Sequence, residues 1–385
     1  MEKITLAGDT IDKKDINRLI EWLKTYPRLT KGPVTLEYED KWSKYLGVNH
    51  SIFVNSGSSA NLLILSSLVE SKLLSPGDSI VVPALSWSTD LAPVLQLGFK
   101  PVICDCNLED LSIDIEHFKN IIKKEKPKAL ILVSVLGLVP DMKTIVEICN
   151  ENNIILIEDA CESLGAKFEN KHIGSFGYAS SFSTYFGHHI STIEGGMVCT
   201  NNNNYMNICK SVRSHGWDRD MDPKYQKDLQ AEWKTPDFNA MYTFYYSGYN
   251  LRSTDLQAYI GLTQIDKLDE IVEIRNKNFY KYYNDLKVEW KPKLYENRQI
   301  SNFAYPVIHS RRAEIVQDLK GNNIEVRPLI CGSLGTQPYF VKHNGAPIIL
   351  KNASLVDSAG FYIPNHAEMT NKQIEKVVKI INKYG

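Results

Sequence analysis

Four short apolar runs, at residues 79–83, 101–104, 129–134 and 154–157, recur in the first half of the chain, and a helix-length stretch separates each from the next. Runs of four to six residues rich in Val, Ile and Leu read as strands buried on both faces. Parallel strands need a long crossover, normally helical, so this alternation implies βαβ units and an α/β fold. Helical periodicity predicts helices over residues 12–26, 35–45, 61–74 and 142–152, the third stopped by Pro76-Gly77-Asp78.

Beyond residue 250 the texture changes. One long helix is predicted from 255 to 283, through Leu256, Ile260, Leu262, Ile265 and Leu268. A strand over 303–307, a helix near 312–319 and a final helix from 371 follow. The 385 residues are enough for two cores. We expect a large domain over 1–250, with a mostly parallel sheet, and a smaller α+β domain over 251–385. The polar tract 201–204 reads as a turn capping the next helix. Residues 218–244 are rich in charge and aromatics without periodicity, and read as a long, functional loop.

Composition excludes some classes of function. The formal net charge is −1, so no general attraction to nucleic acid or an anionic membrane is implied. No run approaches the roughly 18 apolar residues of a membrane span, and no signal-peptide core is seen at the start. The cytoplasm is the expected location. The seven cysteines are scattered, so reduced thiols and no metal site are expected.

Candidate site residues follow the strands. Asn55-Ser-Gly-Ser-Ser-Ala60 precedes a helix, so Gly57, Ser58 and Ser59 form either a phosphate cradle or an ordinary helix cap. Trp87 follows the strand ending at Pro83, placed either to stack on a flat cofactor or to fill the core. Asp159 closes the strand at 154–157, with Glu162 three residues on. An acid there either pairs with a protonated pyridine nitrogen or caps the next turn. Ser183 stands five residues before His188, and Glu194-Gly195-Gly196 is expected to turn tightly through positive φ.

Together, in this order and spacing, Gly57–Ser59, Trp87, Asp159, Ser183 and the Glu-Gly-Gly turn resemble the DegT/DnrJ/EryC1/StrS family of pyridoxal phosphate (PLP)-dependent sugar aminotransferases. The resemblance spans nearly the whole chain, including Thr30-Lys-Gly32-Pro33 and Ser247-Gly-Tyr-Asn250-Leu-Arg252. It implies the aspartate-aminotransferase fold (fold type I), homodimers with shared active sites, and PLP or pyridoxamine phosphate (PMP) as cofactor. Asn250 is then expected at the phosphate of the neighbouring subunit's cofactor, and Gly57, Ser58, Ser59, Trp87, Asp159, Glu162 and Ser183 around the coenzyme. Gly32, His215, Arg219 and Arg252 become substrate-binding candidates.

His188 departs from the main family pattern. It falls where the family has the lysine that holds PLP as a Schiff base, and imidazole cannot form that imine. It can move protons near neutral pH. The His-His pair and Ser214-His215-Gly216-Trp217-Asp218-Arg219 resemble the family's 3-dehydratase branch. That resemblance implies C3 deoxygenation of a nucleotide-linked 4-keto-6-deoxyhexose, GDP-4-keto-6-deoxy-D-mannose being the expected substrate. His188 is the expected base and glutamate the expected amino donor. His189 is expected to pack or orient; His215 either binds substrate or makes structural hydrogen bonds. Another branch carries an iron–sulfur cluster on cysteines of the following loop, whereas Cys209 is the only cysteine here between 200 and 330. The rival readings are a 4-aminotransferase using Lys167 or Lys171, the iron–sulfur-coupled dehydrase, and a silent sugar-nucleotide-binding protein.

Overall fold

The computed structural model describes residues 3–385. Its centre is a seven-stranded sheet. The strands are β1 (His50–Val54), β2 (Ser79–Pro83), β3 (Lys100–Cys104), β4 (Ala129–Val133), β5 (Ile155–Asp159), β8 (Ala179–Ser183) and β9 (Gly196–Thr200). Two two-residue strands intervene, β6 (Lys167–Phe168) and β7 (Lys171–His172), which pair with β10 (Arg298–Gln299). The order in the large sheet is β1-β9-β8-β5-β4-β2-β3. Only β9 runs against the rest, pairing antiparallel with both β1 and β8. The expected α/β class and parallel core are therefore observed, with β4 and β8 buried along their whole length.

Local sequence sets the helix ends. α1 (Lys13–Leu23) starts at a capping box between Asp12 and Asp15. α2 (Pro33–Leu46) has proline in its first turn and ends at Gly47, φ 76°. α2 has no capping side chain of its own; Asp255 accepts from the N–H groups of Gly32 (2.7 Å) and Thr35 (2.9 Å) instead. α3 (Gly57–Glu70) begins at Ser56, whose hydroxyl accepts from the Ser59 N–H, and α4 (Ser88–Gln96) begins after Trp87. Asn202 caps the helix Asn203–Arg213 as expected.

The second half departs from expectation in three places. The long helix is two, Asp255–Asp266 and Leu268–Asp285, divided at Lys267. The Lys267 ammonium is tied to Asp12 (2.7 Å) and Asp15 (2.6 Å) on α1. The expected loop at 218–244 contains helices Pro223–Glu232 and Asp237–Ala240. No residue of Pro223–Glu232 is buried, so it had no apolar stripe to reveal it. The strand expected from 303 starts at Tyr305, which leaves Phe303 free of the sheet.

β11 (Tyr305–Ile308), β12 (Arg327–Pro328) and β13 (Gly360–Ile363) form an antiparallel three-stranded sheet, with β13 in the middle. Around residue 250 the chain runs beside β1: Asn55 donates to the Leu251 carbonyl at 3.0 Å, and Arg252 bridges Val54. Helix Asp255–Asp266 then packs on α2. Among the described residues, no helix is long and apolar enough to cross a membrane.

Candidate active site

Five strands point their carboxyl ends at one cavity of about 340 Å³. β1 leads into Ser56, Gly57 and Ser58; β2 into Trp87; β4 ends at Val133, β5 at Asp159 and β8 at Ser183. All of these residues line the cavity. In open parallel sheets, ligands bind at these strand ends because loops and helix N-termini converge there. Tyr185, Gly187, His188 and Glu194 form another wall, and Phe303, Arg327, Ile330 and Tyr362 come from the second sheet and its loops.

The cradle at α3 is tight. A Cβ on Gly57 would stand 2.8 Å from the Ser183 Cβ, so only glycine allows the two segments to meet. The N–H groups of Gly57 and Ser58 lie in the first helical turn, where no intrahelical acceptor exists. Ser59 differs from its neighbours: its N–H donates to the Ser56 hydroxyl at 3.0 Å, and it is not on the cavity wall. Trp87 is 54% exposed, so its ring is a cavity wall and not core.

The acids cluster. Asp159 Oδ2 accepts from the Asn61 amide at 2.7 Å, and its Oδ1 from the Cys161 N–H at 2.9 Å. Glu162 accepts from the Leu136 N–H at 2.8 Å, and burial pushes its carboxyl up to about 7. Burial first, and the charge of Asp159 second, push the Asp90 carboxyl well above the usual range. Facing these acids is His188. Burial lowers its imidazole to about 4 against the opposing pull of Asp159, so the ring is neutral at pH 7. Its Nδ1 is buried, and the Cys161 backbone, like Asp159, opposes the effect of burial on the ring. Its carbonyl accepts from Arg275 at 3.3 Å, and its ring lies 5.3 Å from that of Phe303. His189 points away and is fully buried, its Nε2 at 3.0 Å from the Ser301 hydroxyl.

Glu194-Gly195-Gly196 corrects one expectation. Neither glycine has positive φ; Ile193 does, at 70°. Glycine is needed for space instead, because a Cβ on Gly196 would collide with the Ser56 carbonyl.

Asn250, His215, Arg219, Arg252 and Gly32 do not line the cavity. Gly32 packs on Asp255. The others gather on a separate face. Arg252 Nη2 is 3.3 Å from His215 Nε2. Arg219 lies 3.8 Å over the Trp217 ring, which stacks on Phe244. Buried Arg213 anchors the segment through Glu39 (2.6 Å), the Phe53 carbonyl (2.9 Å) and Asp220 (3.2 Å). Lys167 and Lys171 are also off the cavity, and no lysine lines its wall. Among the described residues, no group of three or more His, Cys, Asp or Glu side chains could hold a metal ion.

Sequence reasoning missed Asn61, Asp90, Cys161, Phe303, Arg327 and Tyr362. Asp90 sits one helical turn after Trp87 and Asn61 one turn after Gly57, so spacing from residues already singled out could have found those two. The residues beyond 300 carried no such signal.

The sequence pattern of the DegT/DnrJ/EryC1/StrS aminotransferase family matches residues 9–382. The chain is similar to GDP-4-keto-6-deoxy-D-mannose 3-dehydratase of Yersinia pseudotuberculosis, 31% identical over 100% of this chain and 99% of that protein. The enzyme of the same name from Escherichia coli O55:H7 is 34% identical over 94% of this chain and 95% of its own. A crystal structure of GDP-4-keto-6-deoxymannose-3-dehydratase with a trapped PLP-glutamate geminal diamine superposes with a TM-score of 0.86 at 28% identity, over 98% of this chain and 100% of that one. Its cavity at the parallel strand ends, its glycine-dependent cradle and its match over nearly every residue place this chain in the DegT/DnrJ/EryC1/StrS aminotransferase family.

Proposed function

We propose that this protein holds PLP or PMP without a covalent bond and removes the C3 hydroxyl of a GDP-linked 4-keto-6-deoxyhexose, GDP-4-keto-6-deoxy-D-mannose, with His188 as the base. The observation that carries it is the cavity wall itself: a neutral imidazole at 188, and no lysine to hold the coenzyme. The residues fit such a cofactor. The unpaired first-turn N–H groups of Gly57 and Ser58, with the Ser183 hydroxyl, suit a phosphate. Trp87 offers a flat wall for a ring, and Asp159, with Glu162 nearby, a carboxylate for a pyridinium nitrogen.

The chemistry that PMP supplies when bound is an electron-accepting ring and an amine for the sugar's C4 ketone. The chain supplies the proton transfers and the electrostatics. The His188 ring, neutral at pH 7, accepts a proton and returns it to the departing hydroxyl, a contribution worth roughly 10²–10⁴-fold. Asp159 holds the charge that favours electron uptake by the ring. The Arg275 bond to the His188 carbonyl and the Phe303 ring fix the imidazole in place. Glutamate is the proposed amino donor that restores PMP, and the cytoplasm the proposed site of action.

Two copies make the working unit in this reading. His215, Arg219, Asn250 and Arg252 lie off their own cavity, on a face where Phe238, Tyr242 and Phe244 are exposed. An aromatic patch with arginines suits a protein interface. Across it, Asn250 serves the partner's coenzyme phosphate, and His215, Arg219 and Arg252 the partner's substrate.

The test is incubation with PMP and GDP-4-keto-6-deoxy-D-mannose, with products read by mass spectrometry. A sugar nucleotide lacking one oxygen is expected, with PLP and ammonia released. A 4-amino sugar as the sole product would overturn the proposal.

A further inference from the structure

Beside Asp159 lies a buried polar relay that the mechanism above does not use; Asn61 stands off the cavity wall, and Asp90 reaches its edge. Asn61 is 5% exposed, in the first turns of α3. Its amide nitrogen donates to Asp159 Oδ2 at 2.7 Å and to Asp90 Oδ1 at 3.0 Å. Both hydrogens of one amide are thereby committed to two carboxyl groups. Asp90 is 1% exposed, and its second oxygen is hydrogen-bonded to the Ser86 hydroxyl, whose oxygen accepts the acid proton when Asp90 is neutral. Asp90 lies in the first turn of α4, where the helix dipole favours an acid, but among the described residues no ion pair offsets its burial. Burying a second carboxyl group beside Asp159 is costly unless one of the two stays protonated. Burial and the neighbouring Asp159 both drive Asp90 toward that neutral form. With Oδ1 fixed by the Cys161 N–H, both Asp159 oxygens are clamped.

We propose that Asn61 and Asp90 are positioning residues for Asp159: they fix the plane of its carboxylate and leave the negative charge on it, facing the ring nitrogen of a pyridine coenzyme. The inference rests on the reading of Asp159 given above. A polar network in which every member is satisfied is rigid, and rigidity makes a directional bond to a ring nitrogen worth more. Phe or Leu at 90 would pack there without the cost of a buried acid, but would leave the Asn61 amide half satisfied and free to turn.

Two probes isolate the ring-nitrogen contact: PLP, and an analogue in which CH replaces the ring nitrogen. Dissociation constants for both are measured by fluorescence titration of the apoprotein. Wild type is expected to prefer PLP by roughly tenfold or more, the scale of a charge-assisted hydrogen bond. Asp90→Ala and Asn61→Ala are expected to shrink that preference below about threefold, and Asp90→Asn, neutral and of the same shape, to retain it. A merely structural role would weaken both probes equally and leave their ratio unchanged, and that result overturns the proposal. If the alanine variants fail to fold by circular dichroism, Asn61→Ser carries the same expectation. Asp159→Ala separates the two claims. If wild type shows no preference, the reading of Asp159 fails; if only Asp159→Ala abolishes it, the positioning role alone fails.

Discussion

Asp159, Ser183 and His189 sit at strand ends or in packed loops, each with hydrogen-bond partners inside its own chain. On the segment 213–252, Phe238, Tyr242 and Phe244 face outward at 94%, 70% and 56% exposure, beside arginines bonded mainly to carbonyls and rings. The first region is finished by one chain. The second has its buried root in Arg213 and its tip bare. Rigidity suits a group that must meet a coenzyme at a set angle. An unpaired aromatic face suits a surface that a second copy completes.

Four changes sharpen or break that contrast. The largest effect is expected at the finished region. His188→Asn should lower kcat by roughly 10²–10⁴-fold while coenzyme affinity stays within about threefold; steady-state rates and a PLP titration check this. Next, Arg213→Ala should destabilise the fold by about 3–5 kcal/mol in denaturant melts, because it strands the buried Glu39 carboxylate. At the bare tip, Phe244→Glu should shift the proposed dimer toward monomer and lower activity about tenfold or more, with the secondary structure unchanged by circular dichroism. Sedimentation that stays unchanged would break the contrast. The smallest is Glu162→Gln. The folded-state carboxyl is raised to about 7 by burial, so its contribution to stability is full below its ordinary value and is lost as pH rises through 7. The glutamine should therefore stabilise the apoprotein at pH 8 by about 1–3 kcal/mol and do little at pH 4.

Histidines set the acid side. His188, His172 and His366 are each lowered to about 4, with burial the leading cause. Below their ordinary value of 6.5, the unfolded chain binds more protons than the folded one. Their stabilising contribution is present above that value and lost as pH falls toward 4. Thermal midpoints should drop across this window; a flat profile there would contradict the burial.

Much of the fold was legible because it is periodic. Residues 80–83 and 129–133 are apolar without interruption, and the parallel crossovers follow from the helical spacing between the strands. The helix Pro223–Glu232 was not legible, since an element that buries nothing leaves no stripe. At the site, Asp159, Ser183 and His188 stand beside strand ends or a recognisable turn, but only their joint order and spacing, through the family resemblance, singled them out. Phe303, Arg327 and Tyr362 could not, because they reach the cavity only through the packing of the second sheet against the first. The glycines at 195 and 196 were recognised for the wrong reason: close approach of the Thr184, Thr192 and Phe53 side chains to Gly195 and of the Ser56 backbone to Gly196, not handedness, demands them.

Treatment of the PLP-loaded protein with borohydride, followed by intact mass measurement, bears most directly on a histidine standing where an amine would anchor the coenzyme. A polypeptide of unchanged mass, with the reduced coenzyme released into solution, is expected. A protein made heavier by one pyridoxyl group on a lysine would contradict it.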